Sequence, residues 1–280
     1  MVFNIYLIGD FMELLQIIIL SLVQGITEIL PISSSGHLLI IKKILNLQTD
    51  GLLLEILLHF GSLIGIILFY RKELMLIMKD SFLFLFNKEK INSKRNFHLL
   101  ICLFFSTLTT SIFGLLFLDI IERYFTNLNI IPYFFVISAL ILLFTKFENN
   151  HRELNDITFK DSILIGLVQI LGLFPGISRS STTLFGSKLA KLNNSSAFNY
   201  SFLLFIPISF GSFILELVKL SINKEAINIP LSNILIAIIL TCVTTYYSIK
   251  LLNKIIKKDK LYYFSYYLLI LAFFCIMFIK

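Results

Sequence analysis

A chain of 280 residues that is 57% hydrophobic and only 15% charged, with a mean hydropathy of +0.89, carries too much apolar surface for a soluble globule and is expected to be a polytopic helical membrane protein. Its apolar runs reach bilayer length and show helical rather than alternating character, which argues against an outer-membrane barrel. The net charge of +7 raises nucleic acid as a partner, but the basic residues cluster between apolar runs and read as topology signals, so no nucleic acid is expected.

The N-terminus has no basic stretch before its apolar run, so no cleavable signal peptide is expected. The first element, 13–47, is apolar but broken by Pro31 and Gly36, which predicts a re-entrant helical hairpin that enters and leaves on one side. Spans follow at 51–70, 99–118 and 128–145, each near the ~20 residues that cross ~30 Å of hydrocarbon. In the 51–70 span, Glu55 with His59 and Gly61 with Gly65 read as helix-packing features. A second broken segment, 162–192, is interrupted by Pro175 and Gly176 and precedes spans at 198–218, 231–252 and 261–279. Cys102, Cys242 and Cys275 each sit alone in an apolar run and read as packing residues.

The fold expected is therefore all-α and polytopic, with six transmembrane helices plus two re-entrant hairpins in a single membrane domain. Its halves, about 11–145 and 162–279, are one element written twice: Leu22-Val23-Gln24 falls on Leu167-Val168-Gln169 and Ser33 on Ser178, an offset of 145. An odd number of spans per half inverts the second half, which gives an inverted-topology repeat about a pseudo-twofold axis in the membrane plane. On this parity fifteen basic residues, among them Arg71, Lys79, Lys94, Arg95, Lys250 and Lys254, share one face, against five (Lys42, Lys43, Arg123, Lys219 and Lys224) on the other. Both termini are then expected outside and the basic loops in the cytoplasm.

Chemistry concentrates at the two breaks. Glu28 is a carboxylate at bilayer depth, costing on the order of 2.5–3.5 kcal/mol, so a wet cavity or a partner is expected, with Gln24 one turn earlier on the same face. Arg179 keeps its charge, and its planar fork suits a bidentate grip on phosphate. Ser178, Ser180, Thr182 and Thr183 can add donors, and a helix restarting near Ser180 would turn its positive dipole end to the same anion. In the first break Ser33, Ser34 and Ser35 precede His37 at a second such helix start; a neutral imidazole three residues after Ser34 could activate that hydroxyl or a water. A carboxylate beside a phosphate is repulsive unless a divalent cation bridges them, so Mg²⁺ or Ca²⁺ is expected on Glu28 and Gln24.

With these motifs in view, the chain resembles the undecaprenyl-diphosphate phosphatase, or bacitracin-resistance, family over nearly its whole length. The family's [E/Q]xxxE motif corresponds to Gln24 and Glu28, its P-I-S-S-S-x-H motif to Pro31 through His37, and its P-G-x-S-R-S motif to Pro175 through Ser180, followed by Thr183. The resemblance implies metal-dependent hydrolysis of a C55 isoprenyl diphosphate in the bacterial inner membrane, at a site reached from the outer face. It implies Glu28, Ser34, His37 and Arg179 as catalytic residues, with Ser33, Ser35, Ser178, Ser180 and Thr183 holding phosphate. Expected partners are that lipid, the bilayer and a second copy of the chain in a homodimer. Two residues depart from the family pattern: Gln24 stands where glutamate is common and Ser181 where glycine is common, so weaker metal binding and a more distant backbone are expected. Ser34 is the expected nucleophile with His37 as its base, and a metal-activated water is the alternative. The competing class is a transporter or flippase for an anionic isoprenoid lipid, since inverted repeats with broken helices also build transporters.

Overall fold

Long apolar runs can satisfy their own backbone inside hydrocarbon only as helices, and the computed structural model of the chain is made of them. It describes residues 2–45, 52–86, 91–145, 150–223, 229–256 and 260–278. In order these form α1 (Val2–Thr27), α2 (Ser34–Ile44), α3 (Leu52–Phe86), α4 (Ile91–Phe125), α5 (Ile131–Thr145), α6 (Phe159–Gln169), α7 (Arg179–Leu189), α8 (Asn194–Asn223), α9 (Leu231–Ile256) and α10 (Tyr263–Phe278), with no strand among the described residues. Four of them, α3, α4, α8 and α9, are long and apolar enough to cross a membrane. The chain is a multi-pass helical membrane protein.

Helix lengths depart from the expected spans in both directions. α3 and α4 have 35 residues each, so most of the expected connection 71–98 is helix; no glycine or proline lies between Gly65 and Gly114 to stop either one. Arg71, Lys72, Lys79, Lys94 and Arg95 therefore ride on helical extensions. α5 and α10 are shorter than expected, at 15 and 16 residues, or roughly 23 Å of rise. Residues 46–47, 51 and 279 of the expected elements, with Lys88, Lys90, Lys146, Lys224, Lys257 and Lys258, lie outside the described residues.

The prolines act where the sequence places them. α1 stops at Thr27, the chain turns through Pro31, and α2 restarts behind Ser33, whose hydroxyl accepts from the Gly36 N–H. α6 gives way to a 3₁₀ turn at Ile170–Leu173 and then to Pro175-Gly176, where Gly176 takes φ +97°, a conformation that favours glycine. α7 restarts behind Ser178, whose hydroxyl accepts from Ser181 N–H at 3.3 Å.

Both breaks meet in the middle of the protein. A Cβ on Gly36 would lie 2.5 Å from the Phe135 ring and 3.2 Å from the Gly176 Cα, and the Ser181 hydroxyl donates to the Pro31 carbonyl at 2.9 Å. Around them, contacts are exchanged between the halves: α1 packs on α9 and α6 on α4, while α3 meets α8 and α5 meets α10. Close approach is made at small residues, Gly25 against Thr241 and Thr244 and Gly166 against Ser106 and Thr109. Gly61 and Gly65 sit against Ile238, Thr241 and Thr245 of α9, the packing role read from their spacing.

The two ends of the second broken segment are tied together. Arg152 donates to the Ala190 carbonyl at 2.6 Å and to Asp161 at 2.8 Å, and the Asn150 amide donates to the Lys188 carbonyl at 2.8 Å. The start of α6 and the end of α7 thus lie side by side.

Candidate active site

A cavity of about 250 Å³ opens where the breaks meet, and its wall includes Glu28, Ser33, Ser34, Ser35, Ser178 and Arg179. Glu28 is its centre. The carboxylate is 2% exposed, so its charge has to be met by protein groups, because an unpaired buried ion costs several kcal/mol. Arg179 Nη2 donates to Oε1 at 3.2 Å and Gln24 Nε2 to Oε2 at 2.8 Å. The Ser34 hydroxyl also donates to Oε2. The Arg179 guanidinium lies 5.2 Å from the centre of the Phe205 ring, which supports its exposed face.

The two caps account for this geometry. Ser33 caps α2 and Ser178 caps α7, so the next residues, Ser34 and Arg179, occupy the same first position of the two helices. The two starts deliver a hydroxyl and a guanidinium to a single carboxylate. Glu28 itself is not duplicated; the offset of 145 puts Leu173 in its place. Both helix N-termini face the cavity through Ser33, Ser34, Ser35, Ser178 and Arg179, a favourable setting for an anion.

Several expected site residues are elsewhere. His37, expected as the base for Ser34, is not on the cavity wall: its Nδ1 meets the Ser33 carbonyl at 2.7 Å and its Nε2 the Tyr267 hydroxyl at 2.7 Å. The group on the Ser34 hydroxyl is Glu28. Ser180 and Thr183 are also off the wall. Ser180 shares a bond of 3.0 Å with Ser178, while Thr183 donates to the Arg179 carbonyl at 3.0 Å and pairs with Ser201. The Thr183 hydroxyl turns back to a carbonyl four residues earlier in its own helix, while Ser180 faces Ser178 and the Leu30 carbonyl, and both point away from the cavity. Ser181 is spent on Pro31 and also faces away.

His59 is the residue that the sequence reading set aside. It lines the cavity, accepts from Gln24 Nε2 at 3.0 Å through Nδ1, and lies 3.5 Å from Glu28 Oε2. Glu55, also on the wall, is paired with Lys42. The signal available was an ionisable i, i+4 pair inside an apolar helix, which is unusual enough in a membrane to suggest a wet surface.

Among the described residues no group of three or more His, Cys, Asp or Glu could hold a metal by itself. Gln24 turns its amide nitrogen to Glu28 and leaves its Oε1 buried without a hydrogen-bond partner. Gln24 is not on the cavity wall, so of the expected pair only the Glu28 carboxylate lines it, a hard donor that fits Mg²⁺ or Ca²⁺ only as part of a set completed by substrate phosphate oxygens.

Fold and cavity together define an integral membrane protein with a cavity between two helix breaks, where a buried carboxylate meets a serine hydroxyl and a guanidinium. Residues 17–274 match the family model described as bacitracin resistance protein BacA, and the chain belongs to that family. It is 33% identical over 272 residues to "Undecaprenyl-diphosphatase 3" of Bacillus anthracis, covering 96% of this chain and 99% of that protein. It is 42% identical over 211 residues to "Undecaprenyl-diphosphatase" of Thermosipho melanesiensis, covering 75% and 81% respectively. The relative of that name from Thermosipho africanus is 37% identical over 255 residues, 91% of this chain and 96% of its own.

Proposed function

We propose that this chain hydrolyses undecaprenyl diphosphate to undecaprenyl phosphate and inorganic phosphate, returning the lipid carrier to cell-wall synthesis and conferring bacitracin resistance. The observation that carries this reading is the convergence of Ser34, Glu28 and Arg179 on one cavity between the two breaks. Family membership and the names of the relatives support it.

In the reaction the terminal phosphoryl group enters between the α2 and α7 N-termini and draws the Arg179 guanidinium from Glu28 onto its oxygens. Ser34 Oγ attacks phosphorus as its proton passes to Glu28, and the bond from phosphorus to the bridging oxygen breaks, releasing undecaprenyl phosphate. Glu28 hands that proton to the departing phosphate oxygen and is again a carboxylate; water then attacks the phosphoserine as its proton passes to Glu28, the bond from phosphorus to Ser34 Oγ breaks, and the proton returns from Glu28 to Ser34 Oγ, freeing inorganic phosphate. Glu28 would hold Mg²⁺ or Ca²⁺, which when bound would withdraw charge from the phosphoryl oxygens. Every group in this scheme comes from one chain, so the chemistry requires no second copy.

The layout that serves it is a pair of re-entrant hairpins and six spans related by an inverted repeat, in the bacterial plasma membrane with both termini outside. Support for the hairpins comes from the tied ends of α6 and α7, and for the repeat from the exchanged contacts of α1 with α9 and α6 with α4. The exchanged pairing also favours a second reading, a carrier that moves an anionic isoprenoid lipid across the bilayer. Purified protein in detergent, where no gradient exists, separates the two: phosphate release from the C55 diphosphate, abolished by chelator and restored by Mg²⁺ or Ca²⁺, is the expected result. Translocation in vesicles without phosphate release would give the carrier reading.

Arg179→Lys keeps the charge but removes the planar fork and its packing on Phe205. kcat is expected to fall at least ~10-fold, equivalent to ~1.4 kcal/mol, because two parallel hydrogen bonds to the phosphoryl oxygens become one. Turnover of the lysine variant within two-fold of the parent would show that a point charge suffices.

A further inference from the structure

We propose that Tyr267, on the C-terminal helix, is a positioning residue for this reaction: acting through His37 it fixes the Ser33 carbonyl and with it the Ser34 hydroxyl. The inference rests on the hydrolase reading above and concerns residues that reading leaves without a role. Ser33 is strained, with φ at +68° and ψ at 100°, a conformation that side-chain-bearing residues hold only when their surroundings enforce it. Its carbonyl is gripped twice by one residue, by the His37 N–H at 3.3 Å and by His37 Nδ1 at 2.7 Å.

A carbonyl oxygen only accepts, so Nδ1 carries the proton and the lone pair of the neutral ring is on Nε2. That lone pair is occupied: the Tyr267 hydroxyl donates to Nε2 at 2.7 Å across 230 residues of sequence. The ring is also held on its faces, stacked on Tyr267 at 9° with centroids 5.7 Å apart and packed against Phe135 at 5.5 Å. With both nitrogens engaged, His37 has nothing left to accept the Ser34 proton, and Ser34 is bonded to Glu28 instead. Tyr267 thus sets the tautomer, the tautomer sets the donor to Ser33, and the held carbonyl places Ser34, the next residue, at the start of α2.

The test compares Tyr267→Phe, His37→Ala and His37→Asn in full-length protein, with phosphate release from the C55 diphosphate as readout and size-exclusion profile and Tm as the check on folding. Asparagine can put an amide N–H near the place of Nδ1 but cannot move a proton at these pH values. Tyr267→Phe is expected to lower kcat ~5-fold with KM within ~2-fold, the scale of one lost hydrogen bond acting on the reacting geometry. His37→Ala is expected to lose ~50-fold in kcat and His37→Asn to recover to within ~10-fold of the parent. Parental kcat in Tyr267→Phe would overturn the proposal, as would a folded His37→Asn no more active than His37→Ala, since the imidazole would then be moving the proton. Should His37→Ala fail to fold, the other two variants decide against the parent. Parental release in the same assay reports separately on the hydrolase reading.

Discussion

Glu28→Gln is expected to lower kcat by ~1000-fold while leaving KM unchanged or lower, a loss in the range found when a positioned base is removed. Glutamine fills the same space and can still accept from Ser34 and Gln24, so the contacts that shape the first break survive. What it cannot do is take the Ser34 proton. Its carbonyl oxygen can still serve a cation, and it removes a negative charge beside the incoming diphosphate, which is why binding should not suffer. Arg179 Nη2 lies 3.2 Å from Glu28 Oε1, and without that partner it is free to hold phosphate in the resting state. The measurement is steady-state phosphate release together with binding of a non-hydrolysable isoprenyl diphosphate. A variant within ~10-fold of parental kcat would remove Glu28 from the role of base, and weaker analogue binding would show that the carboxylate's main work is to hold a cation.

The sequence carried this arrangement unevenly, for physical reasons. Pro31 and Pro175-Gly176 announce the breaks because proline removes a backbone donor and crowds the preceding turn, a cost that α8 absorbs at Pro207 but the serine- and glycine-rich breaks do not, and the serine before each restart announces a cap; both features are local and both are present in the structure. The offset that aligns Ser33 with Ser178 also foreshadowed the pairing of Ser34 with Arg179 at equivalent helix starts. Depth in the membrane made Glu28 and Arg179 conspicuous, since a charge there needs a partner, and each is the other's. The orientation of His37 was beyond reach. Its spacing from Ser34 permits a shared hydrogen bond, but its ring is claimed by a carbonyl one residue away from that serine and by Tyr267 on a helix from the far end of the chain. His59 was hidden for the opposite reason: an i, i+4 neighbour, Glu55, offered a sufficient local account, while the partner that matters, Gln24, comes from α1. The outward turn of Ser180 and Thr183 was in principle readable. Once a helix begins at Arg179, their hydroxyls fall where Ser178 and the carbonyls of that first turn can take them.

Ser34→Ala is expected to match Glu28→Gln, with kcat lower by ~1000-fold and analogue binding retained. Two groups that act as one unit should not add, so the double variant is expected to be no slower than either single one by more than ~3-fold. Ser33→Ala is the control within the same turn. The Ser33 hydroxyl accepts from Gly36 N–H at 3.4 Å and shares a bond of 3.3 Å with Ser35, so its loss weakens a cap and, in the proposed scheme, a phosphate contact but removes no nucleophile. A loss of ~10-fold or less is expected there, about the worth of one cap. Rapid quench of the parent with labelled substrate should trap phosphate on Ser34, in an amount that rises before steady-state release begins. In Glu28→Gln the trapped species should form slowly, because proton removal from Ser34 is the step that variant lacks. If Ser34→Ala keeps substantial turnover and the parent yields no phosphoserine, the attacker is water, activated by Glu28 or by a cation beside it, and Ser34 becomes a donor to the phosphoryl oxygens.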